Sequence, residues 1–155
     1  MTEFNISSTA PDWRGQALSN FVLSPFVLDG KLLASVEGFI QGIKFAPHDA
    51  RRAAIFETFG MQAKQAGAQA ERRVVWWQDQ ELAYGSAAHH ALIGRAIRAR
   101  ILQSEGLAAA LASTRGHALV HLTPEPESPA TSLPATVFCA ILTQLREEIL
   151  AGPSA

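Results

Sequence analysis

From Val36 to Ala46 the apolar residues Val36, Phe39, Ile40 and Ile43 recur at helical spacing. Glu37, Gln41 and Lys44 fall together on another stripe. The pattern predicts a short helix with one buried face and one polar row that carries a carboxyl, an amide and an amine. Ser35 stands where a helix cap is expected. The preceding segment from Leu18 is rich in turn formers: Ser19, Asn20, Pro25, Asp29 and Gly30. Phe21–Leu28 reads as an extended stretch broken at Pro25, with a turn at Asp29–Gly30.

The same reading covers the rest of the chain. Glu3–Ser7 is expected as a strand, followed by a loop through Gly15. Asp49 caps a helix over Ala50–Phe59 that Gly60 stops, and a short Ala-rich helix, Met61–Gln65, ends near Gly67. Arg73–Trp77 and Glu81–Tyr84 flank Gln78–Asp79–Gln80 as a hairpin. Ser86 opens the longest helical run, Ala87–Gln103, which is apolar around much of its circumference and therefore central. Leu107–Ala112 is a further short helix and Ala118–Leu122 a strand. The four prolines of Thr123–Pro134 exclude regular structure there. Val137, Phe138, Ile141, Leu142, Leu145 and Ile149 form an amphipathic C-terminal helix. The fold class expected is mainly α: a single-domain helical bundle over residues 1–155 with a few short β-strands.

Composition narrows the partners. A chain of 155 residues can bury one proper core. Thirteen basic and fourteen acidic residues leave a net charge of −1, so bulk capture of nucleic acid is not indicated. Cys139 is alone, which excludes an internal disulfide, and its neighbours Val137, Phe138, Ile141 and Leu142 mark it as a small buried hydrophobe. No leader pattern and no apolar run of membrane-spanning length occurs, so a cytoplasmic protein without a membrane partner is expected. No glycine-rich phosphate loop or nucleophile-elbow motif is present. His89 and His90 are adjacent and point to different helix faces, so no metal is expected. Arg95 and Arg98 read as a solvated face, with a pyrophosphate grip as the sharper alternative. Trp76 and Trp77 alternate across a strand, so one is core and the other is free to stack on a base.

The run Ser19-Asn20-Phe21, then Ser24-Pro25-Phe26, then Ser35-x-Glu37-x-Phe39-x-Gln41-x-x-Lys44-Phe45 resembles the opening signature of the NADAR (YbiA-like) domain. The likeness is close over Leu18–Phe45, about a fifth of the chain, and continues weakly through Gly60, Ala63 and Gly67. Members of that family are N-glycosidases and ADP-ribose-processing proteins. The resemblance implies Glu37 and Lys44 as catalytic residues and Asn20, Ser35, Gln41 and Trp77 as substrate-binding residues. It implies no cofactor. The substrate implied is a small nucleotide: a ribose phosphate of the riboflavin-intermediate type, an ADP-ribose-type molecule or a modified nucleic-acid base. Plain chemistry offers milder roles beside these. A carboxylate in a first helical turn meets the helix dipole, and a lone lysine needs no ligand. The chain also departs from the family, whose members carry an acidic residue close to a Trp-Gly pair before the final helix. Here the segment reads TPEPESPATSLPATVF, without Trp or Asp. Glu125 or Glu127 then stands in for the acid. The departure keeps open an alternative, a non-catalytic module that binds ADP-ribose or a related nucleotide.

Overall fold

The computed structural model describes residues 2–152. β1 (Glu3–Asn5) leads to α1 (Trp13–Ala17), and a hairpin of β2 (Phe26–Leu28) and β3 (Lys31–Leu33) follows. The turn residues of that hairpin, Asp29 and Gly30, both have positive φ, 50° and 80°. This is the local geometry a two-residue hairpin loop needs and Asp-Gly adopts readily. Then come α2 (Val36–Gly42), α3 (Ala50–Ile55), α4 (Gly60–Gly67), a second hairpin of β4 (Val74–Trp77) and β5 (Gln80–Ala83), α5 (Ala87–Leu102), α6 (Glu105–Ala112), β6 (Ala118–Val120) and α7 (Ala135–Ala151).

This architecture corrects the expected helical bundle. The protein is α/β: the described residues are 44% helix and 13% strand, with seven helices and three two-stranded sheets. The deciding sheet is β1–β6. It is parallel, with Glu3 opposite Ala118, Phe4 opposite Leu119 and Asn5 opposite Val120. It ties the start of the chain to the segment just before the proline-rich loop. Three-residue strands show too little alternation to be read locally, and a parallel pairing between distant segments leaves no turn motif behind. Two helix boundaries also shift. α3 ends at Ile55, and α4 runs on to Gly67 from an extended Phe59.

One apolar cluster carries the fold. Leu92, Ile93, Ala96, Ile97 and Ile101 of α5 are buried in it, with Val36, Phe39, Ile40 and Ile43 from α2 and Phe138, Leu142 and Leu145 from α7. Ile141 packs at its margin. Helix α2 approaches the end of α3 so closely that a Cβ at Gly42 would lie 2.3 Å from the Phe56 ring.

The core also holds charges without a carboxylate partner, and Arg100 is the one that organises the loop before α2. Arg100 of α5 is buried and donates to the carbonyls of Ala17, Leu18 (3.4 Å) and Ser19 (2.9 Å). It thereby satisfies the C-terminal end of α1 and anchors the loop that follows. Replacing Arg100 by Met should cost about 2–5 kcal/mol, because three carbonyls lose their donor. Arg98→Met, which breaks an exposed pair with Glu148, should cost under about 1 kcal/mol. Urea unfolding of both variants checks the contrast; equal losses would mean that Arg100 does not hold the loop.

Candidate functional site

Ser35 sets the direction of the site. Its hydroxyl accepts the Gly38 N–H at 2.9 Å and donates to the Thr58 carbonyl at 2.8 Å. These bonds cap α2 and tie its first turn to the chain that leaves α3. One residue past Val36, the Glu37 N–H donates to the Asn20 carbonyl at 3.0 Å. The loop that Arg100 anchors is thus pinned beside Glu37. The opposite side of α2 from the core faces a cavity of about 540 Å³, lined among others by Asn20, Glu37, Gln41 and Lys44.

The structure therefore brings four of the six expected site residues to one cavity and places the other two elsewhere. Ser35 is fully buried in its capping bonds. Trp77 is buried too: its ring lies edge-on to Phe39 at 4.9 Å and its indole N–H donates to the Asp29 carboxylate at 2.8 Å. Both hold the wall up from behind.

The cavity wall is costly to maintain. Glu37 is 8% exposed, and burial pushes its carboxyl above the usual value of 4.5. The Gln41 amide, which donates to it at 2.9 Å, and the more distant charges of Lys44 and Lys64 pull the other way. Lys44 is 4% exposed, and burial lowers its ammonium from 10.5 to about 8. Repulsion from Arg72 and Lys64 adds to that effect, and Glu37 opposes it. No ion pair joins Glu37 to Lys44 within 4 Å among the described residues, so each stays available to a ligand. The buried oxygens Asn20 Oδ1 and Gln41 Oε1 have no hydrogen-bond partner. Buried acceptors of this kind favour a ligand that brings hydroxyl or N–H donors. The set comprises a carboxyl whose proton affinity burial raises, an amine whose proton affinity burial lowers, and the unengaged acceptor Asn20 Oδ1. It suits proton transfer at a polar, hydroxyl-bearing molecule.

The far wall was not foreseen. Lys64 of α4 and Arg72 after it line the cavity, as do Ser7, Ser8, Thr9 and His121. Lys64 sits one turn before Gly67 in the weak tail of the family signature, and that was its only signal. Ser7–Thr9 and His121 arrive through the β1–β6 pairing, which has no local mark. The proline-rich segment closes over the cavity. Lys64 meets Glu125 at 3.0 Å, Arg72 donates to the Ala130 carbonyl at 3.3 Å, and the Tyr84 hydroxyl contacts the Ala130 carbonyl and Ser132 Oγ at 2.7 and 2.9 Å. Glu127 accepts the Ala135 N–H at 3.0 Å, at the start of α7.

Other candidates fall outside. Arg95 pairs with Asp29 and Arg98 with Glu148, both away from the cavity. His89 is fully buried, accepts the Gly85 N–H at 3.0 Å, and burial lowers its imidazole to about 4. It is therefore a neutral packing group. Burial raises the Cys139 thiol to about 11, so it is no nucleophile at neutral pH. Among the described residues, no helix is long and apolar enough to cross a membrane.

Comparison with known proteins gives this cavity a lineage. The family model for bacteriophage protein GP30.3 matches residues 12–147. The chain belongs to that family. The family is NADAR-like, so the resemblance carried by Ser19–Phe45 holds. A phage T4 relative, an uncharacterised 17.1 kDa protein from the Gp30–rIII intergenic region, is 32% identical over 154 residues, covering 96% of this chain and all of that one. The NMR structure of Escherichia coli YbiA superimposes with a TM-score of 0.70 over 97% of this chain and 86% of that one. At 24% identity this likeness shows a shared α/β fold.

One contact in the wall yields a sharp expectation. Gln41 Oε1 lies against the bare backbone of Gly67, where an added Cβ would sit only 1.7 Å away. Gly67→Ala should displace Gln41, break its bond to Glu37 and cost about 1–3 kcal/mol. Gly106→Ala on α6, where a Cβ would meet only Ser104 Oγ at an ordinary 3.9 Å, should instead stabilise by about 0.5–1 kcal/mol. Thermal and urea unfolding of the two variants tests this; an unperturbed Gly67→Ala protein would show that the α2–α4 contact does not fix Gln41.

Proposed function

We propose that the protein is an N-glycosidase acting on a ribose-phosphate or ADP-ribose-type substrate. The reading rests on one observation above all. Glu37 is a buried carboxyl with a raised proton affinity, and it shares a nucleotide-sized cavity with Asn20, Gln41 and Lys44. Membership in a NADAR-like family points the same way.

In this mechanism the C1′–N bond lengthens and positive charge grows on the ribose ring. Glu37, beside the anomeric carbon, stabilises that charge and takes a proton from the attacking water. The new C1′–O bond replaces C1′–N, and Glu37 passes the proton it took from water to the leaving base nitrogen, so that one water is divided between sugar and base. Asn20 Oδ1 accepts from a sugar hydroxyl and fixes the ring, and the Gln41 amide steadies Glu37. Lys44 meets the phosphate or a ribose hydroxyl.

A second reading has its own support. The two carboxylates of the late loop are both engaged, Glu125 with Lys64 and Glu127 with the Ala135 N–H. Neither points an unpaired carboxylate into the cavity in the place of the missing family acid. A binding module for ADP-ribose or a related nucleotide would show ligand-dependent thermal stabilisation without base release.

Single-turnover base release, followed by mass spectrometry on ribosylated and ADP-ribosylated bases, separates the two. Glu37→Gln keeps the shape and removes the charge. It should lower turnover about 100- to 10,000-fold while leaving binding nearly intact. Lys44→Ala should weaken binding, more for a phosphorylated substrate than for its dephosphorylated analogue. Because the Lys44 amine is held at about 8, its positive charge is lost as pH rises through that value. KM for the phosphorylated substrate should therefore rise above pH 8, and the analogue should show no such rise. Near-full activity in a folded Glu37→Gln protein would sink the mechanism.

A further inference from the structure

Three cations from three separate elements converge on the cavity: Lys44 from α2, Lys64 from α4 and Arg72 from the segment before β4. Gathering like charges on one wall raises the free energy unless an anion sits among them. The fixed carboxyl Glu37 does not fill that place. It is hydrogen-bonded to Gln41, and it makes no ion pair with any of the three within 4 Å. Glu127 does not fill it either, being committed to the start of α7.

The anion that does meet the cluster is Glu125. Its carboxylate lies 3.0 Å from Lys64 Nζ, on the proline-rich loop that covers the cavity. The Lys64 and Glu125 side chains are 45% and 70% exposed. Exposed pairs of this kind are weak and readily exchanged. Two features hold the cationic wall in place without Glu125. The Lys64 ammonium lies 6.0 Å from the centroid of the Phe21 ring, and Arg72 donates to the carbonyls of Ala70 and Ala130.

We propose that Lys64, with Lys44 and Arg72, forms a subsite for the phosphomonoester of a sugar-phosphate ligand, and that Glu125 occupies this subsite until the phosphate displaces it. Glu125 is then a selectivity device. A neutral sugar cannot compete for Lys64, whereas a phosphate brings up to two charges and three acceptor oxygens that can engage several cations at once. The inference rests on the proposed function only for the sugar-phosphate nature of the ligand.

Calorimetric titration with ribose 5-phosphate, and with ribose as the uncharged control, tests it on the full chain. Glu125→Gln should bind ribose 5-phosphate about 2- to 5-fold tighter than the natural protein, the size expected for removing an exposed competing ion pair. Lys64→Gln should bind it about tenfold weaker or worse. Ribose should bind all three proteins equally. The exposure of both side chains keeps the variants folded, and circular dichroism verifies this. A Glu125→Gln protein that binds ribose 5-phosphate no tighter, a Lys64→Gln protein that binds it as well as the natural chain, or no binding of it to any of the three overturns the subsite. Base release is read separately. A chain that hydrolyses substrate without this pattern loses only the subsite, and one with this pattern but no hydrolysis loses only the enzymatic reading.

Discussion

Burying a carboxyl group in the first turn of α2 is the constraint on which this molecule is organised. A carboxylate out of water is expensive unless its surroundings are built for it. Glu37 has such surroundings on every side. Ser35 caps the helix that carries it, the Asn20 carbonyl receives its backbone N–H, and Gln41 donates to its side chain. Each of those partners is fixed by something further away. Thr58 holds Ser35, Arg100 holds the loop before Asn20, and the bare backbone of Gly67 lets Gln41 lie flat. The site and the core are thus one construction: the same helix buries Val36, Phe39 and Ile43 on one side and presents Glu37 on the other.

That arrangement has a chemical consequence. Burial moves the Glu37 carboxyl and the Lys44 amine towards their neutral forms, one upward and the other downward. Groups so displaced exchange protons closer to neutrality than their solvent-exposed counterparts do. A protein selected for stability alone would have little reason to keep them beside two unengaged buried acceptors.

How much of this could be read from the sequence depended on range. The stretch from Ser35 to Lys44 was legible because cap, apolar stripe and polar row all lie within three helical turns. Asp29–Gly30 was legible as a turn for the same reason, although its return strand β3 was not. Trp77 could go either way, since alternation along a strand says which residues share a face and not which face is the core. Packing against Phe39 and Phe56 settles that, and the Asp29 carboxylate receives the indole N–H. The α/β character was missed because the parallel β1–β6 pair joins segments far apart in the chain. The far wall of the cavity was missed with it: His121 and Ser7–Thr9 follow from that pairing. Arg72 reaches the site from a segment with no pattern at all. The late loop reads as unstructured, and it is irregular. Its role as a cover comes from Glu125, Ala130 and Ser132 finding Lys64, Arg72 and Tyr84.

The account turns on the state of one carboxyl group, and that state is directly observable. The ¹³C carboxyl resonance of Glu37, assigned by its disappearance in Glu37→Gln, can be followed through a pH titration of the free protein. The account predicts a midpoint clearly above the ordinary value of 4.5. A midpoint at or below 4.5 would mean that the carboxylate is well solvated or firmly ion-paired, and would contradict the proposed acid–base role.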